Sequence, residues 1–325
     1  MSPRKNHVRA SAPAKVILFG EHFVVYGKPA ILASIDKRVY VDVKVRKDSR
    51  IVIKSNMGFS GSFDQNEQKQ LERKKFKSLL QPILKAASDT MKAFDANVGL
   101  DMQIRSEFPY GVGLGSSAAC SIATIAAVSS LFGKLSKQKI CEMSLDAEKL
   151  VHTNPSGADS AICTYGGLML FSKHDGAKPI NHQIDLKLIV ANSGIKRTAG
   201  KLVSNVMRLR GKDPDLFYGL SNMSENITSQ ALKAIKSKDY AELGALMTLN
   251  HSLLRRLGVS RSALDKLVDI ALKNNALGAK ITGAGGGGCI IALVNDGSKN
   301  KVVKAMKSYD AFVSKVEQRG VTIEI

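Results

Sequence analysis

Apolar and polar residues alternate along several short stretches in the first half of the chain, and this period of two is typical of β-strands. Residues 39–45 show the alternation most clearly, and residues 51–53 and 100–104 continue it. Residues 16–19 form an apolar run that stops at Gly20, as expected of a strand before a turn. The pattern therefore predicts a sheet in this part of the chain.

Between and after these strands, the residues favour helices. An amphipathic helix is predicted over residues 68–94. Residues 117–131 are rich in Ala, Ser and Ile on every face, which predicts a buried helix. Ser136 is expected to cap the next helix, which runs to about residue 152, and a short helix carrying Asp159 follows.

A polar stretch with Gly and Pro at residues 173–179 predicts a domain boundary. We therefore expect one domain over residues 1–178 and a second over residues 179–325. The second half again mixes strands and helices, with strands at 186–190 and 321–325, several helices between 198 and 275, and two strands flanking the glycines at 283–288. This mixture indicates an α+β protein.

The composition supports a folded protein of two domains. The chain has 325 residues, of which 44% are apolar and 23% charged, a mix typical of soluble globular proteins. It has no run of 18 apolar residues, so we expect no membrane span, and the basic residues 1–7 do not resemble a signal peptide. The four cysteines are expected to be reduced and buried, as in a cytoplasmic protein: Cys120, Cys141, Cys163 and Cys289.

A formal net charge of +20 raises the alternative of a nucleic-acid-binding protein. The basic residues are spread along the chain, however, and the densest run, at residues 73–77, is flanked by Glu67 and Glu72. Aromatic residues make up only 6% and Trp is absent, so stacking surfaces for bases are scarce. We expect no nucleic-acid partner, and a basic surface also suits a polyanionic small substrate.

Three glycines at alternate positions precede two serines and the predicted buried helix. They lie in residues 109–119, Pro-Tyr-Gly-Val-Gly-Leu-Gly-Ser-Ser-Ala-Ala. A helix N-terminus offers unpaired N–H groups and a positive dipole end, and the glycines let an anion approach them, which predicts phosphate binding. An ordinary turn before a helix is the alternative. The segment lacks the Gly-Lys-Ser/Thr of a P-loop and the acidic residue of a dinucleotide-binding fingerprint.

Two further segments combine turn residues with charged or hydroxyl side chains. In residues 13–30, Lys15 lies in an apolar strand, and Glu21 and His22 follow a glycine turn. From the residues alone, these three also fit a solvent-exposed strand end and an exposed loop. The other segment, residues 280–288, contains four consecutive glycines, whose entropic cost favours contact with a ligand or with the other glycine segment.

In this order and spacing, the three segments resemble the three motifs of the GHMP kinase family, and the resemblance covers essentially the whole chain. The first, Gly-Glu-His-Phe-Val-Val-Tyr-Gly-Lys-Pro-Ala at residues 20–30, resembles the mevalonate kinase branch, whereas galactokinases and mevalonate diphosphate decarboxylases differ there. Asn-Pro-Ser-Gly-Ala-Asp at residues 154–159 resembles the same branch. The resemblance implies a two-domain α+β fold with a mixed-sheet N-terminal domain and a ferredoxin-like C-terminal domain.

The resemblance also implies a division of roles for phosphoryl transfer. Asp159 would accept the proton of a primary hydroxyl group, and Lys15 would lie close to it and stabilise charge on the attacking oxygen and the γ-phosphate. Glu148 and Ser117 would hold Mg²⁺, a hard cation that prefers oxygen ligands, with Ser116 as the alternative to Ser117. From the residues alone, Asp159 also fits a helix cap, and Glu148 also fits a structural pair with a histidine on its own helix.

The other implied site residues form two sets. Contact with ATP, chiefly through main-chain N–H groups, is implied for Pro109, Gly111, Val112, Gly113, Leu114, Gly115, Ser116, Ser117, Ala118 and Ala119. Contact with a bound substrate is also implied for five residues outside that segment: Glu21, His22, Ser156, Thr198 and Gly285.

The function implied by the resemblance is ATP-dependent phosphorylation of the primary hydroxyl group of mevalonate, giving 5-phosphomevalonate for isoprenoid biosynthesis, with ATP and Mg²⁺ as cofactors. Phosphomevalonate kinase and mevalonate 3-kinase stay open as alternatives within the family. A non-catalytic, ligand-sensing relative is a further alternative, which Lys15, Glu148 and Asp159 together disfavour. We thus expect mevalonate and ATP as partners of a cytoplasmic protein, for which a homodimer is one option.

Overall fold

The protein is described by a computed structural model that covers residues 1–64, 80–150, 155–182, 184–196 and 199–324. Its first sheet has β2 at the centre, hydrogen-bonded to β1, β5 and β6, while β3 and β4 extend the sheet beyond β5 and β7 pairs with β6. β3 runs parallel to β5, whereas the other pairs are antiparallel, so the sheet is mixed, as predicted. The strands are β1 (His7–Phe19), β2 (Ala30–Arg46), β3 (Arg50–Ser55), β4 (Ser60–Asp64), β5 (Gly99–Ser106), β6 (Leu168–Ser172) and β7 (Gly176–Pro179).

The alternation of residues 39–45 is explained by the position of β2 in this sheet. Val39, Val41 and Val43 are fully buried, whereas Lys44 is exposed. Successive side chains of a strand point to opposite faces, so one face of this part of β2 packs on the core. The strand predicted from the pattern is confirmed.

Four helices pack with the first sheet: α1 (Leu80–Ala93), α2 (Ser116–Phe132), α3 (Lys137–Glu148) and α4 (Ala158–Tyr165). Almost every side chain of α2 is buried, because α2 lies between β1 and β2 and the other three helices, as its composition predicted. Ser136 caps α3, since its Oγ accepts a hydrogen bond from the Lys139 N–H at 3.1 Å. The predicted end of this helix near residue 152 lies outside the described residues, as does the part of the predicted helix at residues 68–79.

The second half forms a four-stranded antiparallel sheet with the order β11-β8-β10-β9. Numbered within this sheet, the order is 4-1-3-2, and helices connect its first strand to its second and its third to its fourth. This is the ferredoxin-like arrangement, as predicted. The elements are β8 (Lys187–Asn192), α5 (Ala199–Lys212), α6 (Pro214–Ser237), α7 (Tyr240–Arg256), α8 (Ser262–Lys273), β9 (Gly278–Ile281), β10 (Cys289–Val294), α9 (Asp296–Ala305) and β11 (Phe312–Lys315).

The end of the chain returns to the first sheet. A short strand, β12 (Thr322–Ile323), pairs antiparallel with β1 through Ala10 and Ser11. The predicted terminal strand therefore exists, but it extends the N-terminal sheet rather than the second one. The domain boundary at residues 178 and 179 stays a prediction.

The cysteines and the helices bear on two further expectations. Among the described residues, none of the four cysteines forms a disulfide bond, and Cys120, Cys163 and Cys289 are buried. Cys141 is only half-buried, which corrects the expectation that all four would be inside, because it lies on α3 near the surface. Within the described ranges, no helix is both long enough and apolar enough to cross a bilayer.

Arg38 ties the returning chain end to the first sheet. Its guanidinium donates to Ser11 Oγ at 2.8 Å, to the Gly320 carbonyl oxygen at 2.7 Å and to Thr322 Oγ1 at 3.1 Å. The side chain is 6% exposed, and Glu317 lies 3.8 Å away. Burial lowers the pKa of Arg38, and the negative charge of Glu317 opposes this effect.

We predict that Arg38→Met lowers the free energy of unfolding by about 3 kcal/mol, because it leaves a partly buried carboxylate and several acceptors unpaired. Urea denaturation followed by circular dichroism measures the loss. Arg9→Ala removes an exposed arginine that pairs with Asp42, and it should cost less than about 1 kcal/mol. Equal losses in the two variants would show that the Arg38 contacts contribute no more than a surface ion pair.

Candidate active site

The glycine segment of residues 109–119 leads into the first turn of α2. Gly111, Gly113 and Gly115 have φ angles of 78°, 100° and 77°, in the left-handed region that favours glycine. Gly115 is the residue before the helix, and it has no side chain that could cap the first turn. The N–H groups at the start of α2 are thus available to a ligand, with the positive end of the helix dipole beside them. This backbone geometry suits an anion.

Lys15 joins this segment to the first strand. Its main-chain N–H donates to the carbonyl oxygen of Leu114 at 2.9 Å. A methyl group on Gly115 would come within 2.7 Å of Lys15 Cγ and 3.5 Å of Cys163 Sγ. The third glycine is therefore required by its φ angle and also by the passage of the lysine side chain against it.

The Lys15 ammonium group reaches the carboxylate of Asp159. Lys15 Nζ lies 2.9 Å from Asp159 Oδ1. The lysine side chain is only 5% exposed, whereas that of Asp159 is 37% exposed. Asp159 is the second residue of α4, which starts after Gly157 in a left-handed conformation. The structure thus brings together the two residues expected to act on the reacting atoms.

Glu148, at the end of α3, is buried beside this pair. Ser160 Oγ donates to Glu148 Oε1 at 3.1 Å, and Ser144 Oγ lies 3.1 Å from Ser160 Oγ. Burial and, to a smaller extent, the negative charge of Asp159 raise the pKa of Glu148 to about 8. The Ser160 hydrogen bond and the Lys15 charge oppose this rise. A cation bound at Glu148 would favour the ionised carboxylate.

The two adjacent serines differ in their hydrogen bonds. Ser116 Oγ donates to the carbonyl oxygen of Pro109 at 3.3 Å. Ser117 Oγ is buried and has no hydrogen-bond partner among the residues that the structure describes. A buried hydroxyl without a partner is costly, so an oxygen that awaits a ligand fits Ser117 better than Ser116. In the described part of the chain, no group of three or more His, Cys, Asp or Glu is placed to hold a metal ion.

Four apolar side chains of the glycine segment pack in or against the core. Leu114, Ala118 and Ala119 are buried in the core, and Val112 packs against it. Pro109 contributes its carbonyl oxygen to Ser116. Any contact of Leu114, Ala118 or Ala119 with a nucleotide would therefore come from the main chain.

Glu21 and His22 lie in the turn between β1 and β2. His22 has a φ of 65°, and its Nε2 lies 3.0 Å from the carbonyl oxygen of Ala284. The Glu21 side chain is fully buried, and it forms an ion pair with Lys280 and accepts a hydrogen bond from Asn250 Nδ2 at 3.1 Å. The Glu21 carboxylate thus faces the protein interior, and its contact with a substrate stays a prediction.

A cavity of about 170 Å³ lies between the Lys15 side chain and the second half of the chain. Lys15 and His22 supply charged and polar groups to its lining. Val25, Val203 and Val206 supply apolar side chains to the lining, and the last two belong to α5. The cavity therefore has a polar side next to the reacting pair and an apolar wall, on the scale of a small molecule.

The structure places the remaining predicted site residues as follows. Ser156 Oγ accepts a hydrogen bond from the Ala158 N–H at 3.3 Å, in the turn before α4. Gly285 has a φ of 71°, and a methyl group there would collide with the carbonyl oxygen of Val259. Thr198 lies outside the described residues. Contact of these three residues with a substrate stays a prediction.

Sequence reasoning missed several residues around this site. Lys280 holds Glu21, and Val203 and Val206 form the apolar wall of the cavity. The signal at Lys280 is the one that singled out Lys15, a lysine within an apolar strand next to a glycine segment. Nothing local marks the valines, because α5 reaches the cavity only through the tertiary fold.

Comparison with known proteins agrees with this geometry. The GHMP kinases N terminal domain matches residues 81–167, and the GHMP kinases C terminal domain matches residues 231–311. The mevalonate kinase of Pyrococcus furiosus is 37% identical over 331 residues, which cover 98% of this chain and 98% of the relative.

Two solved structures have the same architecture. L. major mevalonate kinase in complex with R-mevalonate superposes with a TM-score of 0.85 at 29% identity, over 98% of this chain and 99% of that chain. Methanococcus jannaschii mevalonate kinase also gives a TM-score of 0.85, at 31% identity, over 97% of this chain and 100% of that chain. These matches confirm the predicted two-domain fold and the prediction of an ATP-dependent kinase that acts on an alcohol. The chain therefore belongs to the GHMP kinase family.

Proposed function

We propose that the protein transfers the γ-phosphoryl group of ATP to the primary hydroxyl group of mevalonate, giving 5-phosphomevalonate and ADP. The observation that carries this proposal is the 2.9 Å contact between Lys15 Nζ and Asp159 Oδ1. The contact lies between the glycine segment that precedes α2 and the cavity lined by Lys15 and His22. A donor site and an acceptor site thus meet at one acid–base pair.

Asp159 and Lys15 have complementary tasks in this reaction. The acceptor hydroxyl oxygen forms a bond to the γ-phosphorus, and the bond from that phosphorus to the β,γ-bridging oxygen breaks, so that ADP leaves. The hydroxyl proton passes to the Asp159 carboxylate, which is exposed enough to receive it. Lys15, which is buried and fixed, stabilises negative charge on the transferred group without reorganisation at the moment of reaction.

The phosphates of ATP are held by the backbone of the glycine segment. Gly111 and Gly113 have left-handed φ angles, and a methyl group on Gly111 would meet open space. The first N–H groups of α2 supply hydrogen-bond donors to the anion, as at many phosphate-binding helix N-termini. Because the contacts come from the main chain, they recognise phosphate rather than a particular base.

Mg²⁺ fits the oxygen groups at the start of α2 and the end of α3. Ser117 Oγ, which is buried and unpartnered among the described atoms, and the Glu148 carboxylate would hold the ion. Mg²⁺ held there would supply positive charge against the phosphates of ATP. Ser117 is proposed over Ser116, whose hydroxyl is already bonded to Pro109.

The cavity favours an acceptor that carries hydrocarbon as well as polar groups. Val25, Val203 and Val206 present no hydrogen-bonding side chain, so the ring hydroxyls of a sugar would lose water there without replacement. A branched hydroxy acid can place its methyl group on this wall. The solved relative that holds R-mevalonate, with its TM-score of 0.85, supports the same acceptor.

The choice between alternative acceptors, the cellular location and the oligomeric state are also proposals. The similarity of the first motif to mevalonate kinases disfavours phosphomevalonate kinase and mevalonate 3-kinase activity. We propose that the enzyme acts in the cytoplasm, in the mevalonate pathway of isoprenoid synthesis. A homodimer stays a prediction.

We predict that a coupled ADP-release assay shows turnover with mevalonate and little with galactose, homoserine or phosphomevalonate. For galactose the physical reason is the apolar wall of the cavity, which leaves sugar hydroxyls unpaired, and for phosphomevalonate the ground is the similarity of the first motif to mevalonate kinases. Product analysis by NMR should place the new phosphate on the primary hydroxyl group. Turnover of another member of this panel, without turnover of mevalonate, would overturn the proposed acceptor.

We predict that Asp159→Asn lowers kcat by about 10²- to 10⁴-fold, because the amide cannot accept the hydroxyl proton. The dissociation constant for ATP, measured by calorimetry, should stay close to that of the wild type. Asp146→Asn is the matched control, since Asp146 is an exposed carboxylate paired with Lys149, and its kcat should not change. An active Asp159→Asn enzyme would contradict the role of Asp159.

We predict that Ser117→Ala raises the Mg²⁺ concentration for half-maximal activity about tenfold, which corresponds to about 1.4 kcal/mol for one lost oxygen ligand. Ser116→Ala provides the matched comparison at the adjacent position, and it should leave the Mg²⁺ requirement nearly unchanged. Activity is measured over a Mg²⁺ titration at fixed ATP. The reverse order of the two variants would assign the ligand to Ser116.

A further inference from the structure

Three alternate residues of the third glycine-rich motif contact the first motif. Lys280 pairs with Glu21, Thr282 bonds to Ile17, and the carbonyl oxygen of Ala284 lies 3.0 Å from His22 Nε2. Lys280 lies in β9 and residues 283 and 284 form a turn, so the end of β9 and the turn after it together form one edge that follows the first motif. The partners in each pair are about 260 residues apart in sequence.

Lys280 is the most buried member of this edge. Its side chain and that of Glu21 are both fully inaccessible to solvent. Besides the carboxylate, Lys280 Nζ donates to the Ile281 carbonyl oxygen at 2.7 Å and to the Ile17 carbonyl oxygen at 3.4 Å. The ammonium group therefore has three acceptors, one of which lies on β1 two residues after Lys15.

Thr282 adds a second bond to the same point of β1. The Ile17 N–H donates to Thr282 Oγ1 at 2.8 Å, and Thr282 Oγ1 donates to the Ile17 carbonyl oxygen at 3.2 Å. Both main-chain groups of one β1 residue are thus occupied by one side chain from the second half. Thr282 is itself 1% exposed, so water does not replace these bonds readily.

We propose that Lys280 and Thr282 are positioning residues for phosphoryl transfer, which hold Lys15 and His22 in register with the glycine-rich motif at residues 283–288. This inference rests on the proposed kinase function. The two residues do not touch the reacting atoms. Lys280 and Thr282 act on the strand that carries Lys15 and on the turn that carries His22. The side chains of Lys15 and His22 line the acceptor cavity.

If Lys280 and Thr282 position Lys15 and His22, their substitution should affect use of the acceptor more than binding of ATP. Ile17 and His22 line the cavity and Glu21 directly precedes His22, whereas the glycine segment is continuous with α2 and meets β1 through the bond from the Lys15 N–H to the Leu114 carbonyl oxygen. Loosening the contacts at Ile17, Glu21 and His22 should displace the acceptor relative to Asp159. ATP binding should change little, because the N–H groups proposed to bind its phosphates belong to the glycine segment and to α2.

Lys280→Met tests the ion pair. We expect kcat/KM for the acceptor to fall about 100-fold, in part through a raised acceptor KM, with KM for ATP nearly unchanged, since a displacement of the order of 1 Å has such an effect on catalysis. Because this variant leaves Glu21 buried and unpaired, thermal melting accompanies the kinetics. The double variant Lys280→Met/Glu21→Gln removes the buried charge, and we expect it to regain thermal stability while the acceptor KM stays raised. Recovery of stability and acceptor KM together would overturn the positioning role.

Thr282→Val tests the second contact without altering charge or shape and without touching Glu21. We expect the acceptor KM to rise about tenfold at an unchanged KM for ATP. Thr90→Val is the matched control, because Thr90 is also buried and also donates to a carbonyl oxygen, that of Ala86 in α1, away from the site. A wild-type acceptor KM in Thr282→Val, or an equal rise in Thr90→Val, would overturn the inference.

All kinetic measurements use the acceptor that the wild-type enzyme turns over fastest in the panel of four. A wild type that prefers an acceptor other than mevalonate contradicts the proposed acceptor but still allows the Lys280 and Thr282 variants to be judged. A wild type that turns over mevalonate, together with variants that keep its acceptor KM, contradicts the positioning role alone.

Discussion

A buried ammonium group in an apolar strand requires an anionic partner, and the contact between Lys15 and Asp159 meets this requirement. The partner comes from α4, while the space for the lysine side chain depends on Gly115, the residue before α2. The strand, the start of one helix and the start of another must therefore converge at one point. The proposed phosphate site, the proposed base and the acceptor cavity all adjoin that point, so their relative positions follow from this single ion pair.

Buried cations also make the long-range connections of the fold. Arg38 joins the first sheet to the returning chain end, and Lys280 joins the first motif to the third. Each is surrounded by main-chain carbonyl oxygens and a carboxylate, which offset the cost of removing the charge from water. Glu148 is the opposite case, since its burial and the nearby Asp159 raise its pKa to about 8. A divalent cation bound beside Glu148 would favour its ionised carboxylate and so oppose this rise in pKa.

Local patterns predicted much of the fold, because they reflect local physical causes. Alternation at residues 39–45 marks the half-buried strand β2, and the small apolar residues of 117–131 mark the buried helix α2. The last strand was expected in the second domain but pairs with β1, since strand pairing is decided by tertiary contacts. Motif order identified Lys15, Asp159 and their family. The distinction between Ser116 and Ser117 needed the positions of two hydroxyl groups, which one sequence does not contain.

Recognition of the two substrates rests on different parts of the chain. The nucleotide phosphates are proposed to bind main-chain groups of Gly111 to Ser117, and such contacts tolerate changes of side chain around them. The acceptor is proposed to contact side chains, with Val203 and Val206 contributed by α5 of the second half and His22 by the first. A substitution in α5 can therefore alter the acceptor without disturbing the donor site. Because the two halves meet at Lys280 and Thr282, the shape of the cavity also depends on bonds that the acceptor never touches. On this proposal, acceptor choice depends on the junction between the halves, whereas phosphate binding depends on one helix and the loop before it.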